Sequence, residues 1–151
     1  MKHWPNIVAA LAEFGIDSPA MEIAVAATVA VETGIFAPIR ERHASPDKHP
    51  ALWALQNQYW PSGFYGRGFV QLTWRGNYLD AGEGLGVDLV GNPDLALEPV
   101  IAARVLAYFF KSRNIQTPAN AGDWKKVRRL VNGGTNGLET FLKFVTRLEA
   151  A

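Results

Sequence analysis

Residues 18–34, "SPAMEIAVAATVAVETG", constrain the chain more than any other stretch. Serine followed by proline reads as a helix start: the hydroxyl caps free amides, and proline's fixed φ suits the first helical position. Gly34 supplies a stop. Apart from Glu22 and Thr28, the segment is apolar until Glu32. A helix apolar on every side has no face to offer water, so it predicts a central helix with others packed around it. Its apolar run, residues 23–31, is far too short to cross a bilayer, and no membrane insertion is expected.

The surrounding pattern is also helical. "WPNIVAALAEF" carries Ile7, Val8, Leu11 and Phe14 at helical spacing, with Pro5 near the start. Pro99 opens the apolar "VIAARVLAYFFKSR". Asp123 caps "WKKVRRLV", which ends at Asn132-Gly133-Gly134. Its pattern places Trp124, Val127, Leu130 and Val131 inward and Lys125, Lys126, Arg128 and Arg129 outward. The last helix aligns Leu138, Phe141, Leu142, Val145 and Leu148 on one stripe. "NYLDAGEGLG" reads as a short helix. Residues 36–62, with four prolines, read as a long loop holding one helical piece around "ALWALQNQY". Alternation over residues 69–73 suggests a small β-ribbon. The expected fold is mainly α, a single domain over residues 1–151.

The 151 residues, 48% hydrophobic and 19% charged, suit one soluble domain with a proper core. The absence of cysteine excludes disulfides, thiolate zinc sites and a cysteine nucleophile. His3, His43 and His49 lack metal-ligand spacing, so no metal or other cofactor is expected. No signal peptide is visible, which predicts synthesis in the cytoplasm and, for any action on a cell wall, release by another agent such as a holin. Charge is uneven: residues 1–110 carry a net −4 and residues 111–151 a net +5. The basic third reads either as a solvated face or as a docking surface for an anionic partner such as a cell wall. No nucleic-acid recognition motif accompanies it, so nucleic acid is not expected as a partner.

Glu32 is the oddest residue. A carboxylate held against apolar neighbours tends to keep its proton, as a general acid requires; the plain alternative is a glutamate at an exposed helix end. Glycoside cleavage needs a second carboxylate. Glu41, between Arg40 and Arg42, is one candidate, its flanking cations favouring the ionised form; Asp47 is its rival. "FYGRGFVQLTWRGNY", residues 64–78, mixes aromatics, glycines and uncharged polar groups. Tyr65, Gln71, Thr73 and Asn77 offer hydrogen bonds of the kind a sugar takes, while Phe69 and Tyr78 suit the core. "GFYGRG" superficially resembles a phosphate loop but lacks its lysine.

"VETGIF", "YGRGFVQLTWRGNY", "GVDLVGNPDLAL" and "VNGG" stand in the same order as the hallmark segments of glycoside hydrolase family 19. The chain resembles that family's compact endolysin branch over roughly residues 20–150. The resemblance implies a lysozyme-like helical fold and an inverting reaction without a metal. It implies Glu32 as general acid, Glu41 as general base, and Thr73 as the hydroxyl that helps hold the water. Tyr65, Gln71, Asn77 and Asn132 would line the substrate cleft. Val31 stands where many chitinases have histidine, and the chain is shorter than plant-type chitinases and lacks their disulfides.

The expected activity is therefore a peptidoglycan-cleaving endolysin of the muramidase type, acting as a monomer. Lys125, Lys126, Arg128 and Arg129 would dock on the anionic wall. A chitinase is the alternative reading, and a catalytically silent glycan-binding module the further one.

Overall fold

The computed structural model describes all 151 residues. Helix α2, Pro19–Glu32, runs through the centre as its composition demands. Ser18 caps it by accepting from the Met21 amide at 3.2 Å. Met21, Ala24, Val25, Ala27 and Val29 are buried along it. The one hydroxyl in that apolar run, on Thr28, donates to the Ala24 carbonyl at 2.7 Å and so is buried without a lost hydrogen bond.

Around α2 stand α1 (Trp4–Glu13), α5 (Pro99–Ser112), α6 (Gln116–Asn120), α7 (Trp124–Asn132) and α8 (Leu138–Glu149). Helix α8 packs along α2, and α1 packs along α5. Together these helices bury the main core, which includes Leu11, Leu106, Phe110, Ile115 and Phe141. A smaller core of Tyr78, Ala81, Leu85, Leu89, Ala96 and Val105 lies under α4 (Arg75–Leu85). The mainly α expectation holds, and Phe69 and Tyr78 are core residues.

Three local expectations need correction. The ribbon is not at residues 69–73: β1, Ile39–Arg40, pairs antiparallel with β2, Arg67–Gly68. The chain then turns back, so that Arg67 and Leu72 exchange backbone hydrogen bonds across the turn, with Gln71 at φ +54°. Alternation there reflects a tight turn around buried Phe69. The loop after Phe36 is less irregular than its prolines suggest, holding β1, α3 (Pro50–Gln56) and a 3₁₀ turn at Trp60–Ser62. On α8, Leu142 stands 37% exposed, because the α2-facing stripe is centred on Phe141 and Val145.

Candidate active site

Glu32 is the last residue of α2, where the chain leaves the core through Thr33 and Gly34. Its side chain is 37% exposed, and its Oε1 accepts from the Arg128 guanidinium at 2.7 Å. The apolar surroundings expected of it are therefore replaced by an ion pair. The expectation for Arg128 also falls: it points inward from α7 at 3% exposure, away from the basic face. Its Nε donates to the Asn136 carbonyl at 2.8 Å, and its guanidinium lies 6.0 Å from the Phe141 ring centre. Burial of this cation is made possible by the carboxylate and carbonyl it meets. Asn132 lies one helical turn beyond Arg128 and is exposed at the end of α7.

Glu41 follows directly after β1 and is held by neutral donors. Its Oε1 accepts from Gln56 Nε2 at 3.0 Å and from the Tyr59 hydroxyl at 2.5 Å. Its Oε2 accepts from the Gly66 amide at 2.8 Å, while the Glu41 amide donates to the Gly66 carbonyl at 2.7 Å. A carboxylate has about four acceptor positions, so one on Oε2 stays open. A Cβ at Gly66 would lie 3.1 Å from both Glu41 Cβ and Oε2, which explains the glycine. Gln56, only 2% exposed, also donates to the Arg42 carbonyl and accepts from the Ala44 amide, pinning α3 to residues 42–44. Burial, and the hydrogen bond to Glu41, push the Tyr59 phenol well above its ordinary value.

Of the two flanking arginines, Arg40 turns to other partners. Arg40 pairs with Asp94 at 2.9 Å and donates to the Tyr65 hydroxyl at 3.1 Å. Asp47, the rival carboxylate, sits exposed in the turn before α3 with no side-chain partner, whereas Glu41 is fixed by three donors.

The aromatic segment gathers beside Glu41. Gln71 donates to the Ile39 and Gly68 carbonyls, both at 2.9 Å, which ties it to the ribbon. Thr73 donates to the Gln71 carbonyl and Asn77 to the Thr73 carbonyl, each at 2.9 Å. Tyr65 is stacked on Trp60, with ring centres 4.2 Å apart, and Arg67 lies 4.0 Å over its ring. Its hydroxyl, not its ring face, is what it has left to offer. Trp74 is 47% exposed at φ +74°, edge-on to Tyr59 at 5.3 Å.

Gln56, Tyr59 and Arg128 were not anticipated as site residues. For Arg128 a signal existed: it stands four residues after inward-facing Trp124 and four before Asn132, on one helical stripe. Gln56 and Tyr59 carry no such pattern in a short helix and the turn after it.

The family model described as chitinase class I, that of glycoside hydrolase family 19, matches residues 16–126. The chain belongs to glycoside hydrolase family 19. Chitinase 11 of Oryza sativa subsp. japonica is 44% identical over 75 residues, covering 46% of this chain and 29% of the rice protein. An acidic endochitinase of Dioscorea japonica is 32% identical over 116 residues, covering 72% of this chain and 44% of that protein. The chain thus spans less than half the length of these curated relatives. Among solved structures, chitinase C of Streptomyces griseus HUT6037 superposes with a TM-score of 0.72 at 22% identity, over 97% of this chain and 67% of that one. The fold is the lysozyme-like helical fold of the family. The family match includes Glu32, Glu41, Tyr65, Gln71, Thr73 and Asn77, and ends two residues before Arg128.

Proposed function

We propose that the chain hydrolyses β-1,4 bonds in a polymer of N-acetylated amino sugars, with inversion, and that the polymer is chitin-like. The observation that carries this is the cradle of Glu41: three donors fix the carboxylate and leave one acceptor position on Oε2 for a water. Membership of a family whose named relatives here are chitinases supports the substrate class.

In this reading Glu32 delivers its proton to the glycosidic oxygen as the bond to C1 breaks. A water on the opposite face attacks C1 and gives its proton to Glu41. The Arg128 ion pair is the state Glu32 reaches after proton delivery. Arg128 therefore stabilises charge that appears on Glu32 during the reaction, the kind of contact that favours the transition state over the ground state. The water would sit within reach of the Thr73 hydroxyl, while Gln71, Asn77, the Tyr65 hydroxyl and Asn132 would meet sugar substituents.

Peptidoglycan shares the β-1,4 backbone and the N-acetyl groups and adds a lactyl carboxylate on alternate rings. Exposed Lys125, Lys126 and Arg129 on α7 favour it as a second substrate, because an anionic wall would meet them beside Asn132. Chitin hexamer and purified peptidoglycan, each incubated with the native chain and with Glu32→Gln, decide between the two. New reducing ends from the hexamer, lost in Glu32→Gln, are expected. Reduced muramic-acid ends from the wall alone would move the assignment to a muramidase. Binding without new ends from either polymer would leave a silent glycan-binding module.

A further inference from the structure

The segment joining α7 to α8 repeats one dipeptide, Asn132-Gly133 and Asn136-Gly137. Asparagine is thermolabile, most of all before glycine, whose amide no side chain shields. That amide can attack the asparagine side chain. The two copies are not equally open to this chemistry. Asn132 is still helical, and the Gly133 amide donates to the Arg129 carbonyl at 2.8 Å. An amide held in a helical hydrogen bond must open locally before it can turn on its neighbour. Asn136 lies exposed in the turn before α8. No hydrogen bond holds its side chain or the Gly137 amide.

Asn136 also carries the carbonyl that anchors Arg128. The guanidinium Nε donates to that carbonyl at 2.8 Å, and Nη1 donates to Glu32 at 2.7 Å. Nη2, on the same edge as Nε, has no partner in the protein. The turn has no slack on this side. A Cβ at Gly137 would stand 3.0 Å from Val31 Cγ1 and 3.3 Å from Arg128 Nη2. An atom added to the backbone here therefore presses on the residue before Glu32 and on the partner of Glu32.

We propose that Asn136 is a self-modification site whose product uncouples Arg128 from Glu32. The Gly137 nitrogen bonds to Asn136 Cγ and gives up its proton, and the side-chain amide leaves as ammonia, which closes a succinimide. Water then opens the ring. Breaking the bond from nitrogen to Cγ gives aspartate with the backbone as before. Breaking the bond from nitrogen to the backbone carbonyl carbon gives isoaspartate. The chain then runs through Cβ and Cγ, and the former carbonyl is a free carboxylate. The balance is one water consumed and one ammonia released, with nothing oxidised or reduced. In the isoaspartate an anion faces Nε where a neutral carbonyl stood, and it can take Nε and Nη2 together as a bidentate pair. Arg128 is only 3% exposed, so water screens little of that charge, which offsets the cation that Glu32 meets. The aspartate product keeps its charge on an exposed side chain and spares the carbonyl. The consequence for catalysis rests on the glycosidase reading, whereas the modification does not.

The test ages the native chain in mild alkali, separates the products by ion exchange and maps their peptides by mass spectrometry. Modification at Asn136 is expected at least about tenfold faster than at Asn132, whose helix must open first. The isoaspartate fraction should show a kcat on chitin hexamer about a hundredfold below native with KM near native, and the aspartate fraction a native kcat. Asn136→Gln retains the backbone carbonyl and closes the ring far more slowly, so it should start at native kcat and keep it through ageing. Carbon NMR of the Glu32 carboxyl reads the ion pair without substrate: its signal should move in the isoaspartate fraction and stay in the aspartate fraction. Equal rates at the two asparagines would overturn the proposal. So would loss of activity in Asn136→Gln as fast as in the native chain, or an unmoved Glu32 signal in the isoaspartate fraction. A moved signal in a chain that cuts no polymer would defeat the glycosidase reading and leave the modification site standing.

Discussion

Glu32 and Glu41 are nine residues apart in the chain and are held by opposite means. Glu32 ends the most buried helix and meets one charged partner, Arg128, supplied from α7. Glu41 follows a two-residue strand in a proline-rich segment and meets three uncharged donors, two of them from residues 56–59. A rigid helix end needs only one contact to aim its last side chain. A loop carboxylate needs several, because each donor removes one direction in which it can swing. The charge types suit the proposed roles. A group that must become negative during the reaction gains from a fixed cation. A group that must accept a proton keeps more of its basicity among neutral donors than beside a cation.

The comparison breaks most sharply at Arg128. Arg128→Met removes the only partner of Glu32 and the donor to the Asn136 carbonyl. We expect kcat on chitin oligomers to fall about a hundredfold, the cost of a misplaced catalytic group. Stability should fall by about 1–2 kcal/mol, since Glu32 is solvated enough to regain hydration. Arg128→Lys should not restore activity, because one ammonium cannot reproduce the fork that spans Glu32 and Asn136. Unchanged kcat in Arg128→Met, measured alongside a urea unfolding curve, would mean that α2 alone aims Glu32.

The loop side is probed by Gly66→Ala. The added methyl would stand 2.8 Å from Gln71 Oε1 and 3.1 Å from two atoms of Glu41. Gln71 can swing away, but Glu41 must give by a few tenths of an ångström. We expect a loss of about tenfold in kcat and a stability cost of about 1 kcal/mol. A variant with native kcat would show that the Glu41 cradle tolerates slack, which would weaken the claim that a loop carboxylate needs several fixed contacts.

The same contrast governs what the sequence discloses. Helix α2 is written in its own residues, with Ser18, Pro19, an apolar run and Gly34, so Glu32 is placed at a helix end without a structure. The partner of Glu32 is not written nearby, because Arg128 lies 96 residues on and looks like one of four similar cations. Only its helical phase with Trp124 marks it. The sequence sets Glu41 between Arg40 and Arg42, yet Arg40 turns to Asp94 and Tyr65. The groups that do fix Glu41 come from α3, the turn after it and a ribbon amide. Contacts of that kind depend on how a loop closes, which no periodicity records. Gln71 shows the same limit: alternation suggested a strand, and close packing around Phe69 made a turn.

The smallest expected effect separates the two sides by pH. The phenol of Tyr59 sits well above its ordinary value of 10.0, chiefly through burial and then through Glu41. Tyr78 and Tyr108 are raised as well, again chiefly by burial. Between pH 10 and the raised values, the unfolded chain releases these protons while the folded chain keeps them. The unfolded state then binds fewer protons, so stability is full below about pH 10 and declines as pH rises beyond it. Each tyrosine contributes a slope below about 1.4 kcal/mol per pH unit, trimmed where solvent reaches the group. Tyr59→Phe should flatten this decline by one tyrosine's share, and at neutral pH should lower kcat only severalfold, since Gln56 and Gly66 still hold Glu41. No phenol holds Glu32, so of the two carboxylates only Glu41 loses a donor when a tyrosine ionises. Urea unfolding of both proteins from pH 8.5 to 11 reads the slope directly. An equally steep decline in Tyr59→Phe would assign the alkaline loss to Tyr78 and Tyr108 and remove the phenol from the list of groups that hold Glu41 in place.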